Sequence, residues 1–232
     1  IFTTFERTPD VSGLASQYGI PQSLDADHGT VLLDMDSGEI LPHWIEVSAR
    51  TQEGEPPLVH IRSIRGLEHN TQYAVAFRDL KDLSGSEINS SVAFGSLRDG
   101  TITDSPDIEN RRGGYEVMFD SLDAVGFERG SLQSAWWFHT ASTESITGDL
   151  ITMRDDASAR LGAGGIGCNV SSVDDNYWND DTAFRRIKGT ITTPHYVESI
   201  YPPTLMRRAS DGTPQFTFNG EVVFTLSIPQ SA

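Results

Sequence analysis

Short segments in which apolar residues occupy every second position constrain the fold of this chain most strongly. Val59 and Ile61 alternate with polar neighbours, and Tyr73, Val75 and Phe77 share one side of a later segment. A period of two is typical of β-strands that bury one face. Turn residues separate such segments through the first hundred positions, and no amphipathic helical pattern lies between them. This region therefore predicts an immunoglobulin-like antiparallel β-sandwich over residues 1–100.

Two of the predicted strands are joined by a tight turn. Residues 30–35 form an apolar run, and residues 39–47 alternate in part after a Ser-Gly turn. Such a turn between two strand-like segments is typical of a β-hairpin, so we expect these strands to pair. A further turn at residues 82–85 precedes the short apolar segment 92–94, which continues the strand pattern.

The loop before Tyr73 has the form of a tyrosine corner. In that arrangement the phenol hydroxyl forms a hydrogen bond with the backbone a few residues upstream. Residues 66–73 match it, so we expect a structural role for Tyr73.

From Ser105 onward the apolar period changes to that of helices. Ser105 and Pro106 suit a helix start, and the Gly113-Gly114 pair weakens the helix and leaves residues 115–125 as its firmer part. The remaining segments predict a strand at 132–140, a second helix at 145–161 and two antiparallel strands at 186–194 and 221–229. The overall prediction is a mainly β chain with some α, in which an α+β region with two helices and antiparallel strands, residues 101–232, follows the sandwich.

The charge of the chain disfavours two classes of partner. There are 33 acidic and 17 basic side chains, which gives a formal net charge of −16. Such a surface repels phosphate backbones and anionic headgroups. The apolar runs are also much shorter than the roughly 20 residues of a membrane-spanning helix. We expect no nucleic-acid partner and no membrane insertion.

The sequence contains none of the common catalytic or phosphate-binding motifs. It has no Gly-x-Ser-x-Gly nucleophile elbow, no phosphate-binding loop, no His-Glu-x-x-His and no Cys-x-x-Cys. The glycine-rich segment 162–167 follows a predicted helix. A dinucleotide-binding loop follows a strand, so this segment does not predict dinucleotide binding. The sequence assigns no catalytic and no cofactor-binding residue.

Clusters of aspartate are the candidates for metal binding, because calcium prefers several converging carboxylate oxygens. The segments 25–29 and 34–38 begin like calcium loops but lack the later glutamate that such loops carry. For each of these aspartate clusters, the alternative to a calcium site is a solvent-exposed loop without a bound metal. The best candidate for a calcium site comprises Asp174, Asp175, Asp180 and Asp181.

The single cysteine and the ratio of lysine to arginine are evidence about the cellular compartment of the protein. Cys168 alone excludes an internal disulfide, and we expect it to be a small buried apolar residue. Two lysines stand beside fifteen arginines, and aspartate is abundant, which is common in secreted or salt-adapted bacterial proteins. The chain starts at Ile1 rather than Met, so we expect a mature fragment or a piece of a longer protein.

Several strings together resemble one family, the large secreted bacterial proteins in which immunoglobulin-like segments precede an α/β-hydrolase domain of the lipase or esterase type. The strings cover residues 30–34, 37–39, 42–44, 73–80, 94–100, 135–142, 153–157 and 224–232. The resemblance implies that the last two strands lead into the hydrolase sheet. It also implies that the catalytic serine, acid and histidine lie downstream of the matched segment.

Three hypotheses follow for the function. The first is a non-catalytic segment, secreted or at the cell surface, that positions a catalytic hydrolase domain or chain. The second is a structural subunit of an extracellular assembly, with copies of itself as partners. The third is an autonomous esterase-like enzyme.

Overall fold

Antiparallel pairing between strands that are far apart in sequence organises the chain. The structure is a computed structural model that describes residues 1–52, 54–175 and 183–229. Strand content is 34% and helix content 24%, so the fold is mainly β with some α and has antiparallel sheets, as predicted. The described residues contain four α-helices, two more than predicted. The chain divides into two compact units, Ile1–Ser142 and Thr143–Ala232.

The first unit places two three-stranded sheets and a set of helices in layers. The sheet orders are β1-β4-β3 and β2-β5-β6, and all pairs are antiparallel. The strands are β1 (Phe2–Thr4), β2 (Thr30–Asp34), β3 (His43–Val47), β4 (Leu58–Ser63), β5 (Gln72–Arg78) and β6 (Leu132–His139). The helices are α1 (Val92–Arg98), α2 (Pro106–Glu109) and α3 (Arg112–Asp123), with short 3-10 helices at Ile20–Leu24 and Arg129–Ser131.

Two hydrophobic clusters lie on opposite sides of the β2-β5-β6 sheet. On one side, Val75 and Phe77 of β5 pack with Ile61 of the other sheet. On the other side, Ala74 and Ala76 of the same strand pack with residues of α1 and α3, including Phe119. Successive strand residues point to opposite faces, so one strand contributes to both clusters.

The segment 92–94, expected as a strand, begins helix α1 instead. Ser91 caps this helix, because its hydroxyl accepts a hydrogen bond from the Phe94 amide at 3.2 Å. Phe94 and Leu97 are buried and lie three positions apart, the spacing of one helical face. Three apolar residues were too few to distinguish the two periods.

The expected hairpin between residues 30–35 and 39–47 is confirmed only next to its turn. There Ile40 lies opposite Leu33 of β2, the Asp34 amide donates to the Glu39 carbonyl at 2.9 Å, and the Leu41 amide donates to the Leu32 carbonyl at 2.8 Å. The chain then leaves at Pro42, and β3 joins β4 in the other sheet, with Ile45 opposite Ile61. Proline lacks the amide that further pairing would need.

The tyrosine-corner prediction is confirmed in its geometry. The Tyr73 hydroxyl accepts a hydrogen bond from the Glu68 amide at 2.9 Å, and the side chain is buried. Burial raises the pKa of Tyr73. The residue fixes the loop that enters β5.

Residues 101–142 belong to the first compact unit because β6 pairs with β5. Val75 lies opposite Trp136, and Ala76 lies opposite Ala135. The predicted boundary at residue 100 falls between α1 and α2, inside this unit. The helical segment after Ser105 is split into α2 and α3 at residues 110–111, just before the glycine pair.

The second unit consists of α4 (Thr143–Leu161), a 3-10 helix (Gly162–Gly164) and a sheet of order β7-β8-β9. Its strands are β7 (Cys168–Asp175), β8 (Ala183–His195) and β9 (Phe218–Pro229). The predicted helix at 145–161 and the predicted antiparallel pairing of the last two strands are confirmed, with Ile187 opposite Leu226.

Polar contacts hold α4 to the loops that follow β8. The Tyr196 hydroxyl donates to the Asp156 carboxylate at 2.7 Å, and burial together with this bond raises the pKa of Tyr196 to about 12. Arg208 donates to Asp149 of the helix through two nitrogens, at 2.6 and 3.0 Å. These contacts fix the position of the helix within the unit.

A buried pair of histidines links the loop before β2 to β3. The His43 Nδ1 donates to the Leu41 carbonyl at 2.8 Å, and its Nε2 accepts from the Thr30 hydroxyl at 2.9 Å. The His28 Nε2 accepts from the Ala15 amide at 2.9 Å. Both rings use at least one nitrogen as an acceptor, so both are neutral in this arrangement. Burial lowers the pKa of His43 to about 4.

We predict that acidification destabilises the first unit through His43. Its pKa is about 4 in the folded chain against 6.5 as the ordinary value, so its contribution is complete above pH 6.5 and is lost as the pH falls toward 4. The shift corresponds to about 3 kcal/mol of unfolding free energy. Urea unfolding at several pH values measures it, and replacement of the exposed His139 is the control. An unfolding free energy that is constant between pH 6.5 and 4.5 would contradict the prediction.

Candidate interaction surface

One face of the β7-β8-β9 sheet is apolar along its middle part. Residues directly opposite each other in neighbouring strands lie on the same face. Val222, Gly189 and Phe224 mark this face on the two long strands. The apolar sheet face consists of Cys168, Val170 and Val173 of β7, Ile187, Gly189 and Ile191 of β8, and Val222, Phe224, Leu226 and Ile228 of β9. At one end of the same side of the sheet, Arg185 lies opposite Ile228 and forms an ion pair with Asp175 of β7.

The apolar sheet face is open to solvent. Val170 is 51% exposed, Val173 55% and Leu226 50%. The opposite face carries mainly polar side chains such as Lys188 and Thr225, with Val223 as an apolar exception. The sheet is therefore amphipathic, with the side that normally forms a core left uncovered.

Gly189 allows the Phe224 ring to lie flat on this face. A side chain at residue 189 would place its Cβ 2.7 Å from that ring and 2.3 Å from the Asn169 carbonyl oxygen. Only glycine accommodates so close an approach from both sides. Strand β8 therefore has no side chain at residue 189, and the Phe224 ring of β9 occupies that space.

Helix α4 leaves part of its apolar stripe exposed as well. The sequence places Ile146 and Leu150 on one side of this helix, and they are 51% and 62% exposed. Among residues 143–175 and 184–229, Tyr196 is the one hydrophobic side chain that is buried. The first unit, in contrast, buries the residues of both hydrophobic clusters.

The second unit gains less free energy from apolar burial than the first unit does. Burying a Val or Leu side chain fully contributes about 1.5–3 kcal/mol, so covering the exposed half of each one still contributes on the order of 1 kcal/mol. Ordering the backbone costs about 1–2 kcal/mol per residue, which apolar burial normally offsets. A contiguous exposed apolar surface of this kind marks an interaction site.

The predicted calcium ligands are only partly described. Asp174 and Asp175 are the last residues of β7, so their side chains point to opposite faces of the sheet. Asp175 accepts a hydrogen bond from Arg185, and that guanidinium lowers the pKa of the carboxyl. Asp180 and Asp181 lie outside the described residues. Within the part of the chain that the structure describes, no three His, Cys, Asp or Glu side chains form a metal-binding group. The calcium site stays a prediction.

Cys168 is exposed, contrary to the expectation of a buried residue. It begins β7 on the apolar sheet face, opposite Ile191. Its small apolar character fits that face, but nothing in the described chain packs over it.

Two of the histidines, His43 and His195, have structural surroundings. Both ring nitrogens of His43 are occupied by Leu41 and Thr30. His195 stacks on Phe218, with 5.0 Å between the ring centroids.

The sequence predicted β8 and β9, two of the three strands of the candidate surface, but not the surface itself. The alternation of Ile187 and Ile191 with Lys188 and Thr190 already indicates one apolar face. This alternation does not show whether another element of the chain covers that face.

Comparison with protein-family models, with curated proteins and with solved structures found no match to this chain. In residues 1–52, 54–175 and 183–229, the helices are too short or too polar to cross a membrane.

We predict that the apolar sheet face binds hydrophobic dyes in the isolated chain. Replacing Val173 and Leu226 with serine removes apolar surface that is already exposed, so dye fluorescence falls by about half and thermal stability changes little. The control is Val223→Ser, which alters an 81% exposed side chain on the opposite face. Equal fluorescence for all three proteins would show that the face is covered.

Proposed function

We propose that this chain is a non-catalytic scaffold segment of a larger secreted bacterial α/β-hydrolase, and that the catalytic domain covers the apolar sheet face. The observation that carries the proposal is the second unit, which forms a long regular sheet without burying its apolar side. Val170, Val173 and Leu226 are each about half exposed. A covering domain supplies the burial that the unit lacks.

The geometry of the sheet favours a domain that extends it. Strands β8 and β9 pair along nearly their whole length, from Ala183 opposite Pro229 to His195 opposite Phe218. Strand β9 is the last in the order β7-β8-β9, so its outer edge is available for a further strand. The resemblance to secreted hydrolases implies this arrangement, with β8 and β9 as leading strands of the catalytic sheet.

The first unit has the properties of a rigid support. Its strands β2 and β5 are buried on both faces, and residues such as Leu32, Val75 and Leu122 are fully inaccessible. The immunoglobulin-like character of this unit belongs to the proposal, and the Tyr73 corner supports it. A support of this kind positions the catalytic domain and does not itself carry the reaction.

Self-assembly is the second candidate. Both outer strands of the second sheet, β7 and β9, have open edges beside an apolar face. Such edges also pair with copies of the same chain. In that case the sheet would be completed by another protomer rather than by a hydrolase.

The test introduces charge on the apolar sheet face in the native protein. In the source organism, Val173→Asp with Leu226→Asp places two carboxylates where the catalytic domain packs, which costs several kcal/mol. We expect the esterase activity recovered with this chain, measured with p-nitrophenyl butyrate, to fall at least about tenfold. Val223→Asp, on the opposite face, is the matched control and leaves the activity unchanged.

Three further measurements separate the alternatives. A fluorophosphonate that labels catalytic serines is expected to label a residue outside residues 1–232, and slow amide exchange in β5 verifies that the first unit remains folded in the variants. Label on a serine of this chain would establish an autonomous enzyme. Sedimentation of the purified chain as a closed oligomer without hydrolase activity would favour self-assembly and overturn the scaffold proposal.

A further inference from the structure

Two cavities of the first unit meet beside the outer strand β6 and the start of α3. Their volumes are about 460 and 420 Å³, within the range of about 300–1,000 Å³ that is typical of small-molecule sites. Both are lined by Arg111, Tyr115 and Trp136, so they are neighbouring compartments of one cleft. We call it the aromatic cleft. The larger compartment is also lined by Trp137 and Asn110.

The indole of Trp137 forms a flat and partly exposed wall of the aromatic cleft. A Cβ atom at residue 114 would lie 2.9 Å from Cζ2 of this ring and 3.1 Å from its Nε1, so only glycine lets the ring rest on the first turn of α3. Trp137 is nevertheless 40% exposed. Trp136 stacks on Phe77 and is held in place by that contact. The cleft therefore offers a fixed aromatic surface to a ligand that has a flat apolar face.

Polar side chains beside this wall retain their hydrogen-bonding capacity. In the part of the chain that the structure describes, the side chains of Asn110, Arg111 and Tyr115 form no hydrogen bond and no ion pair. The next residue, Arg112, is different, because it donates to the Glu109 carboxylate at 2.8 Å. The cleft thus combines an aromatic wall with amide, guanidinium and hydroxyl groups that are free to bind a ligand.

The charges that line the cleft balance each other. Asp107 of α2 lines the smaller compartment together with Arg111, and within the described residues these two side chains form no ion pair. A carboxylate accepts hydrogen bonds and a guanidinium donates them. A charged ligand would be repelled by one of the two groups. A hydroxyl group both donates and accepts, so hydroxyls can form charge-assisted hydrogen bonds with both groups.

We propose that the aromatic cleft binds a neutral carbohydrate. A sugar ring has C–H groups on one face and hydroxyls around its rim, and the two parts match the two parts of the cleft. The C–H face packs on the Trp137 indole, and hydroxyls bind Asn110, Arg111 and Asp107. The two compartments accommodate successive units of an oligosaccharide. This site is independent of the apolar sheet face, so it does not rest on the proposed scaffold function.

The same groups disfavour other classes of ligand. A phosphate ester would be repelled by Asp107 and by the net charge of −16. A quaternary ammonium group, which aromatic rings attract, would be repelled by Arg111. A wholly apolar molecule would cover Arg111 and Asn110 without offering them hydrogen bonds, which is unfavourable.

The experiment titrates the full chain with neutral oligosaccharides of glucose, xylose, mannose and N-acetylglucosamine. We expect at least one of these series to bind with a Kd below about 1 mM, measured by isothermal titration calorimetry. In NMR spectra of the same samples, the indole N–H signal of Trp137 is expected to shift. The signal of Trp44, which belongs to the other sheet, is expected to keep its position.

Two adjacent glycines of α3 provide a matched pair of variants. Gly114→Ala places a methyl group against the Trp137 ring and displaces it, so the affinity is expected to fall at least about tenfold. At Gly113 an added Cβ meets no atom within 4 Å, so Gly113→Ala is expected to leave the affinity unchanged. Both variants make the same replacement in the same helix, and thermal unfolding verifies that they fold.

A second pair of variants tests the polar groups of the cleft. Arg111→Gln and Asp107→Asn each remove a charge-assisted hydrogen bond to the sugar and are expected to weaken binding by about tenfold. Both side chains are exposed, so these variants fold even where Gly114→Ala does not. Arg154→Gln, at an arginine of the second unit that is 63% exposed, is the control and keeps the affinity.

Three results would overturn the proposal. The first is an unchanged Trp137 signal with every oligosaccharide at millimolar concentration. The second is an equal loss of affinity in Gly113→Ala and Gly114→Ala. The third is tighter binding of adenosine, phenyl phosphate or phenyltrimethylammonium than of any oligosaccharide, which would assign the cleft to an aromatic or charged ligand.

Discussion

Strand β5 is the element on which the first unit depends, because both of its faces are buried. Val75 and Phe77 point into the cluster between the two sheets, while Ala74 and Ala76 point toward the helices. All four are inaccessible to solvent. A strand with water on one side could tolerate a shift of register by two residues, but here any shift would displace two clusters at once. The register of β2 and β6 on either side of it follows from this constraint.

The second unit lacks such a constraint and has a different physical character. Its sheet is held by backbone pairing and helix α4 by polar contacts such as that of Asp156 with Tyr196, while the apolar side of the sheet remains open. Backbone hydrogen bonds alone contribute little net stability, because the unfolded chain forms equivalent bonds with water. The unit therefore supplies one apolar layer of a hydrophobic core without the second layer that would pack against it. The proposed function uses this contrast, because the open sheet face would be covered by a catalytic domain while the well-packed first unit supports it.

Local patterns in the sequence predicted a large part of the secondary structure. The alternation around Tyr73 located β5, the capping signals at Ser105 and Pro106 located α2, and the proline-terminated segments located β8 and β9. The errors arose where a segment was short or where its partner was distant. Three apolar residues at 92–94 suited a strand as well as α1, and the Ser-Gly turn suggested a hairpin because the crossing at Pro42 to a different sheet has no local signal. The candidate surface was encoded in the alternation of Ile187 and Ile191, but the metal prediction depended on loop composition alone.

The sequence by itself determined which segments extend, which coil into helices and where they stop, because those choices depend on side-chain period, caps and turn residues within a few positions. Only the tertiary structure decided that β6 joins β5 across more than fifty residues of intervening chain, and that the apolar side of β7, β8 and β9 remains uncovered. The physical reason is that pairing and burial are competitions among all segments of the chain, decided by the total apolar area removed from water. A local pattern shows that a face is apolar, and the fold alone shows whether anything covers it.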